Sequence, residues 1–281
     1  MTAKDITSGV GVRHAEAFIL DSTTGLPACA FNSGTLISGT LVEGIKTFDY
    51  NNPAPQRFTH YGDDRPFAQD SLPATTIGDF TITTAKTNLA LDAFTEGTKE
   101  VTLDTTVKAR VGNTNKRGSE PQLFLFVYRQ ALDTQIGSST FGKLRQWNSA
   151  MIPSTRIINQ MQSMNAAITD AQYTGIPTPV TSTPWNAAFD ETTWGATQGE
   201  YIALNTDYKP QINVGLGNGT LTQFALTKAP IDVAHTHAWV DGTLATVSSV
   251  NTSTTNPSMT LSAAPGNNKL ILALVEHNQA Q

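Results

Sequence analysis

The sequence predicts an all-β protein with one or two short helices, and three observations carry that expectation. Apolar and polar residues alternate with period two over long stretches, as in strands with one face buried. Charged residues make up only 15% of the chain, against roughly 25% in ordinary globular domains; Thr, Ser, Asn and Gly fill the difference. Threonine is β-branched and stiff at χ1, which suits a pleated, half-solvated surface better than a helix. Short apolar runs are punctuated by 21 Gly and 14 Pro, the pattern of a sandwich or barrel.

In chain order, residues 15–20, 36–48, 57–61 and 79–84 read as strands. Residues 87–96 form the first helix candidate: Thr87 or Asn88 can cap it, Gly97 can stop it, and Ala90, Leu91 and Phe94 share a face. From 100 to 111 the alternation is strict, with Val101, Leu103, Val107, Ala109 and Val111 on one side, predicting one half-buried strand. Residues 123–128, Leu-Phe-Leu-Phe-Val-Tyr, are apolar on both faces, which places that strand between a sheet and another layer. Residues 155–172 form the second helix candidate, capped by Ser154, although Ile158, Met161, Asn165 and Ile168 fit a helical period imperfectly and the stretch also reads as strand and loop. Pro177, Pro179 and Pro184 make residues 174–185 extended and unsuited to a central strand. Residues 201–204 are a further strand.

Composition shifts near Tyr208, so the chain is expected to divide into residues 1–208 and 209–281. The second part reads as short strands and turns. Gly215, Gly217 and Gly219 open it, and Phe224 and Leu226 lie on the next strand. Trp239-Val240 leads into an Asp241-Gly242 hairpin turn, residues 244–250 return, and Met259-Thr260-Leu261 and 270–275 close the unit. About 70 residues of this kind suffice for a small β-sandwich that gains from docking.

The formal net charge of −5 and pI near 5.5 argue against a protein that grips nucleic acid by its phosphates. A single cysteine, Cys29, precludes an intrachain disulfide. The polar residues 1–5 lack a signal-peptide core, and the longest apolar run, 270–275, is far short of a spanning helix. The expectation is a protein made in a cytosol.

Motifs that could carry chemistry are few. His235-Thr236-His237 places two imidazoles on one strand face, a spacing found in metal sites, but no third ligand stands nearby in sequence; two polar groups on a solvent-facing edge is the simpler expectation. Asp63-Asp64 within Gly62-Asp63-Asp64-Arg65 pairs carboxylates that point apart, in keeping with a turn whose Asp caps amides and whose Arg65 makes an ion pair. Gly215-Leu216-Gly217-Asn218-Gly219 lacks the Lys-Ser/Thr of a phosphate loop and precedes a strand, so it reads as a β-turn. Cys29, beside Ala28 and Ala30, reads as a buried inert thiol. No catalytic, cofactor-binding or metal-ligating residue is assigned, and the chain is expected not to be an enzyme.

The stretch Gly11-Val12-Arg13, Ala17-Phe18-Ile19-Leu20-Asp21-Ser22 and Gly25-Leu26-Pro27 resembles the opening of tail tube (major tail) proteins of long-tailed phages. Tyr61-Gly62-Asp63-Asp64-Arg65 is similar to a stretch that such proteins carry after a strand. Leu89 to Phe94 with Gly97-Thr98-Lys99 resembles the short helix and stop that follow. Arg145-Gln146-Trp147, Ile152-Pro153 and Pro184-Trp185 also have counterparts, so the likeness spans most of residues 1–205. The C-terminal part, with Gly217-Asn218-Gly219-Thr220, Phe224, Leu226, Ala229-Pro230, Trp239-Val240-Asp241-Gly242, Leu261 and Ala264-Pro265, resembles an immunoglobulin-like module of phage virion proteins. Residues 157–184 depart from the pattern as an insert-like stretch.

The resemblance implies a tail-tube-type β-sandwich or barrel followed by an immunoglobulin-like decoration domain. It further implies hexameric rings stacked into a tube in the virion, assembled in the host cytoplasm, through which DNA is ejected without specific binding. The implied partners are the chain itself and the terminator, tape measure and distal tail proteins, with no membrane and no cofactor. Residues 36–48 and 57–61 are candidate hairpin strands for lumen and stacking contacts, and residues 51–56, with Pro53 and Pro55, a candidate stacking loop. Ring closure would remove exposed sheet edges, and a neutral-to-acidic lumen would repel phosphate. Head decoration, tail termination and a fibre-associated adhesin are alternative virion roles. A glycan-binding or hydrolytic β-sandwich is the other class, in which Trp147, Trp185, Trp194 or Trp239 would stack on sugars; core and interface anchors are the simpler reading of four Trp.

Overall fold

The computed structural model describes residues 9–25, 27–28, 33–51, 56–62, 65–72, 78–85, 99–102, 104, 108–111, 120–132, 144–164, 169–178 and 202–278. Every regular element among them is a strand. In chain order they are β1 (Gly9–Ile19), β2 (Thr40–Val42), β3 (Ile45–Asn51), β4 (Gln56–Gly62), β5 (Arg65–Leu72), β6 (Asp79–Thr84), β7 (Lys99–Thr102), β8 (Lys108–Val111), β9 (Leu123–Leu132), β10 (Leu144–Met164), β11 (Thr169–Pro177) and β12 (Ile202–Thr206). β13 (Lys209–Leu216), β14 (Gln223–Ala225), β15 (Thr236–Val240), β16 (Thr243–Ala245), β17 (Val247–Asn251), β18 (Ser258–Leu261) and β19 (Leu270–His277) follow.

The largest sheet has eight antiparallel strands in the order β2-β1-β9-β10-β11-β6-β3, with β12 paired to β10 beside that path. Its two ends are consecutive in the chain, since only Glu43 and Gly44 separate β2 from β3. β3 packs beside β1, so the sheet curls back on itself like a barrel. Ala15, Leu125, Val127, Ile152, Phe80 and Tyr173 fill the interior. β9 has apolar side chains on both faces for the reason expected: Leu123, Leu125 and Val127 point inward, while Phe124, Phe126 and Tyr128 belong to a second core outside.

That second core is closed by the four-stranded sheet β13-β19-β15-β16, which lays Ile212, Val214, Leu270, Leu272 and Leu274 against the barrel. Its opposite face carries Ile271, Ala273 and Val275 and packs on the three-stranded sheet β14-β18-β17. β19 is therefore buried on both faces along its whole length. The order of layers is barrel, four-stranded sheet, three-stranded sheet. A segment from early in the chain also reaches into the sandwich. Ile37 exchanges both backbone hydrogen bonds with Val214 at 2.9 and 2.8 Å, and Leu36 and Gly34 bond Ala225 at 2.9 Å. Leu36, 1% exposed, fills the sandwich core.

Several expectations need correction. The described residues of 155–172, which are 155–164 and 169–172, are strand and not helix: burial alternates from Thr155 to Ile158, and β10 pairs with β11 from Thr155↔Pro177 to Met164↔Thr169. Ser154 accepts from the Thr178 amide instead of capping a helix. The alternation over 100–111 belongs to a hairpin, β7–β8, with Val101 opposite Ala109. Period two says which face a residue takes but not where the strand folds back. Residues 36–48 split into a bridge segment, β2 and β3, and 244–250 split between two sheets as β16 and β17. The helix candidate at 87–96 lies outside the described residues. Asp241 (φ 45°) and Gly242 (φ 79°) form the hairpin turn as read.

Candidate functional site

Along β1, alternate residues His14, Glu16 and Phe18 face away from the barrel interior, opposite Tyr128, Phe126 and Phe124 on β9. The apolar end of that face meets the four-stranded sheet in a hydrophobic core. Its other end is polar. The His14 ring stacks on Tyr128 at 4.2 Å and 26°. Gln211 Nε2 on β13 donates to Glu16 Oε1 at 3.1 Å. The Tyr128 hydroxyl lies beside this carboxyl, yet neither it nor Glu16 Oε2 completes a hydrogen bond of ordinary geometry. Lys209, opposite His277 in the β13–β19 register, holds its ammonium 5.9 Å from the centre of the Trp147 ring.

His14 and Glu16 of β1 are both shifted toward neutrality. Burial pushes the Glu16 carboxyl up to about 7, against the opposing pull of Gln211, the Gly39 amide, Tyr128 and Lys209. Burial, with positive charge from Lys209 and His277, holds the His14 imidazole down at about 3. Lys209 is itself lowered by burial and by Lys228, with Glu16 opposing. Tyr128, fully buried, is held well above the ordinary phenol range. His14 and Glu16 are each 3% exposed, so a solute reaches them only if the two layers part. At neutral pH the seam holds a neutral imidazole and a carboxyl near its midpoint of protonation.

A second polar corner surrounds His235. The residue sits in the turn before β15, where Asp232 Oδ1 accepts from its backbone amide at 3.0 Å and contacts its Nδ1 at 2.7 Å. That contact, chiefly, lowers Asp232. Tyr208 meets the His235 ring edge-on at 5.1 Å, and the Tyr208 amide donates to Glu276 Oε2 at 2.9 Å. Burial raises Glu276. His237 lies instead near Trp239, at 6.4 Å, and burial lowers it. The two imidazoles thus keep different company instead of sharing one strand face. Among the described residues no group of three or more His, Cys, Asp or Glu is placed to hold a metal ion.

A third feature is a shallow groove of about 450 Å³ on the sandwich, lined by Gln223, Asn251, Thr255, Asn256 and Ser258 together with Gly34, Ala225, Leu226 and Pro257. Its polar groups are neutral amides and hydroxyls. The Gly215 to Gly219 segment forms a turn leaving β13: Asn218 Oδ1 accepts from the amides of Thr220 and Leu221 at 3.0 and 2.8 Å, and Gly219 has φ 83°. Gly217 is required by space, since a Cβ would stand 2.4 Å from the Gly266 carbonyl oxygen. Trp147 and Trp239 pack against the seam core. Asp63, Asp64, Cys29, Trp185 and Trp194 lie outside the described residues.

Sequence reasoning missed the seam. Its one local signal is the alternation His14, Glu16, Phe18, Leu20, a strand face that is ionisable at one end and apolar at the other. Compared with known proteins, the sequence matches no family model, and no curated protein is significantly similar to it.

Proposed function

We propose that the protein is a non-enzymatic structural subunit that associates with copies of itself into stacked rings, forming the tail tube of a long-tailed phage through which DNA passes. The observation that best supports this reading is the pair of hairpins β4–β5 and β7–β8, which among the described residues form two-stranded sheets of their own. Two-stranded ribbons are marginal in water and gain stability by packing on something else; in a ring or stack that something is a neighbouring subunit. The charge content of 15% fits surfaces that pack against copies, because charge is depleted at interface cores. A net charge of −5 fits a channel that repels phosphate. Electron micrographs of concentrated purified protein test the reading. Rings or tubes are expected, and a preparation that stays monomeric at every concentration would sink it.

The groove favours a second reading, a glycan-binding role for the sandwich. Neutral amides and hydroxyls are the groups that exchange hydrogen bonds with sugar hydroxyls. The groove-lining residues include no aromatic side chain, and Trp147 and Trp239 pack at the seam, which weakens stacking on sugars. A glycan array probed with the full chain, with Asn256→Ala as control, decides it: signal that the substitution abolishes supports binding, and a blank array removes it.

A further inference from the structure

The seam between barrel and sandwich is built unlike the cores on either side. One end is apolar, with Phe124 and Leu272 in one buried cluster. The other traps a carboxyl with a single well-formed hydrogen bond, from Gln211, and an outer oxygen that has none. We propose that this seam is a proton-gated joint: with Glu16 protonated the sandwich lies flat on the barrel, and ionisation of Glu16 loosens the contact while segment 34–37 keeps the layers tethered.

Four elements bring groups to face Glu16. On the same face of β1 lies His14, stacked on Tyr128; β9 brings Tyr128, the segment before β2 the Gly39 amide, and β13 Gln211 and Lys209. His277 on β19 and Lys228 act at one remove, through His14 and Lys209. Lys209 is the one Lys or Arg among these groups that faces the carboxyl directly, and its ammonium is engaged with the Trp147 ring. A buried carboxylate without a close cation is costly, and the cost is relieved by protonation or by water entering the gap. Water can enter only by parting the layers, since Glu16 is 3% exposed.

The tether behaves differently. Its bonds from Leu36, Ile37, Val214 and Ala225 are backbone to backbone at 2.8–2.9 Å and involve no titrating group. Ionisation therefore opens one end of the seam and leaves the hinge. The joint does not depend on what the protein assembles with.

Hydrogen exchange of the full chain between pH 5 and 8.5, corrected for the intrinsic rate, tests the joint. Seam amides at the start of β1 and of β13, Val214 of the tether excepted, are expected to lose protection above neutrality, by about tenfold per pH unit beyond the midpoint. The amides of Leu36 and Ile37 and of the barrel strand β9 should not follow. Glu16→Gln should stay protected throughout, and Lys209→Met should move the wild-type midpoint upward. Constant wild-type protection, or an equal loss in Glu16→Gln, would overturn the proposal. Should Glu16→Gln not fold, a carbon-13 titration of the Glu16 carboxyl in the unaltered protein still decides: a midpoint near 7 supports the joint and one near the usual carboxylate range refutes it.

Discussion

Gly175 of β11 lies beneath the ring of Phe80, where an added Cβ would stand 2.1 Å from Cζ. Phe80 is sealed in the barrel interior, so the ring cannot swing away. Gly175→Ala is expected to cost about 1–3 kcal/mol as overpacking, measurable by denaturant unfolding. His14 makes a different prediction. Its imidazole titrates at about 3 in the folded chain, against 6.5 for an unperturbed imidazole, so the unfolded chain binds more protons between those values. The stability tied to His14 is complete above about pH 6.5 and is lost as pH falls toward 3, at roughly 1.4 kcal/mol per unit. His14→Phe, which retains a ring against Tyr128, should flatten the acid limb of a Tm-versus-pH curve. Neither effect is visible in the residues taken singly. Gly175 is one of 21 glycines, and His14 becomes unusual only once it is buried, with Lys209 and His277 brought beside it.

At the scale of single elements, turn chemistry was the most legible. Asp241-Gly242 forms the hairpin because both residues sit at positive φ, and Asp241 Oδ1 also accepts from the Leu270 amide at 2.9 Å. Asp241→Ala should lower stability by about 1–2 kcal/mol, through the left-handed backbone and the lost acceptor, read as a fall in Tm. β9 was legible too, because a run apolar on both faces needs a layer on each side. Residues 155–172 were misleading. Ile157 and Ile158 are adjacent in a strand, one in the interior and one half exposed, but adjacent apolar residues also suit a helix. The pairing partner that decides for Ile157, Gly175 on β11, lies beyond the window in which periodicity is read. Segment 34–37 was equally opaque, since the four residues between Gly34 and Gly39 show no sign that Leu36 completes a distant core. Leu36→Asp should strip amide protection from Val214 and Ala225 while leaving β9 protected, as hydrogen exchange would record.

For the whole molecule, the layers make a claim about autonomy. The sandwich presents Ile212, Val214, Leu270, Leu272 and Leu274 to the barrel and takes Leu36 from it. A fragment of residues 209–281 should therefore bind a hydrophobic dye and show poorly dispersed amide resonances, whereas the full chain should not. A fragment that folds crisply alone would show that neither contact is needed. The sequence by itself determined the all-β class, the hairpin turn and the two-faced burial of β9, because alternation, turn residues and apolar runs act over a few neighbouring positions. Only the tertiary structure decided that the large sheet curls round until β3 packs beside β1, that segment 34–37 completes the sandwich, and that Glu16 is trapped at a seam. Those features depend on residues far apart in the chain meeting at one surface, where burial sets both packing and charge.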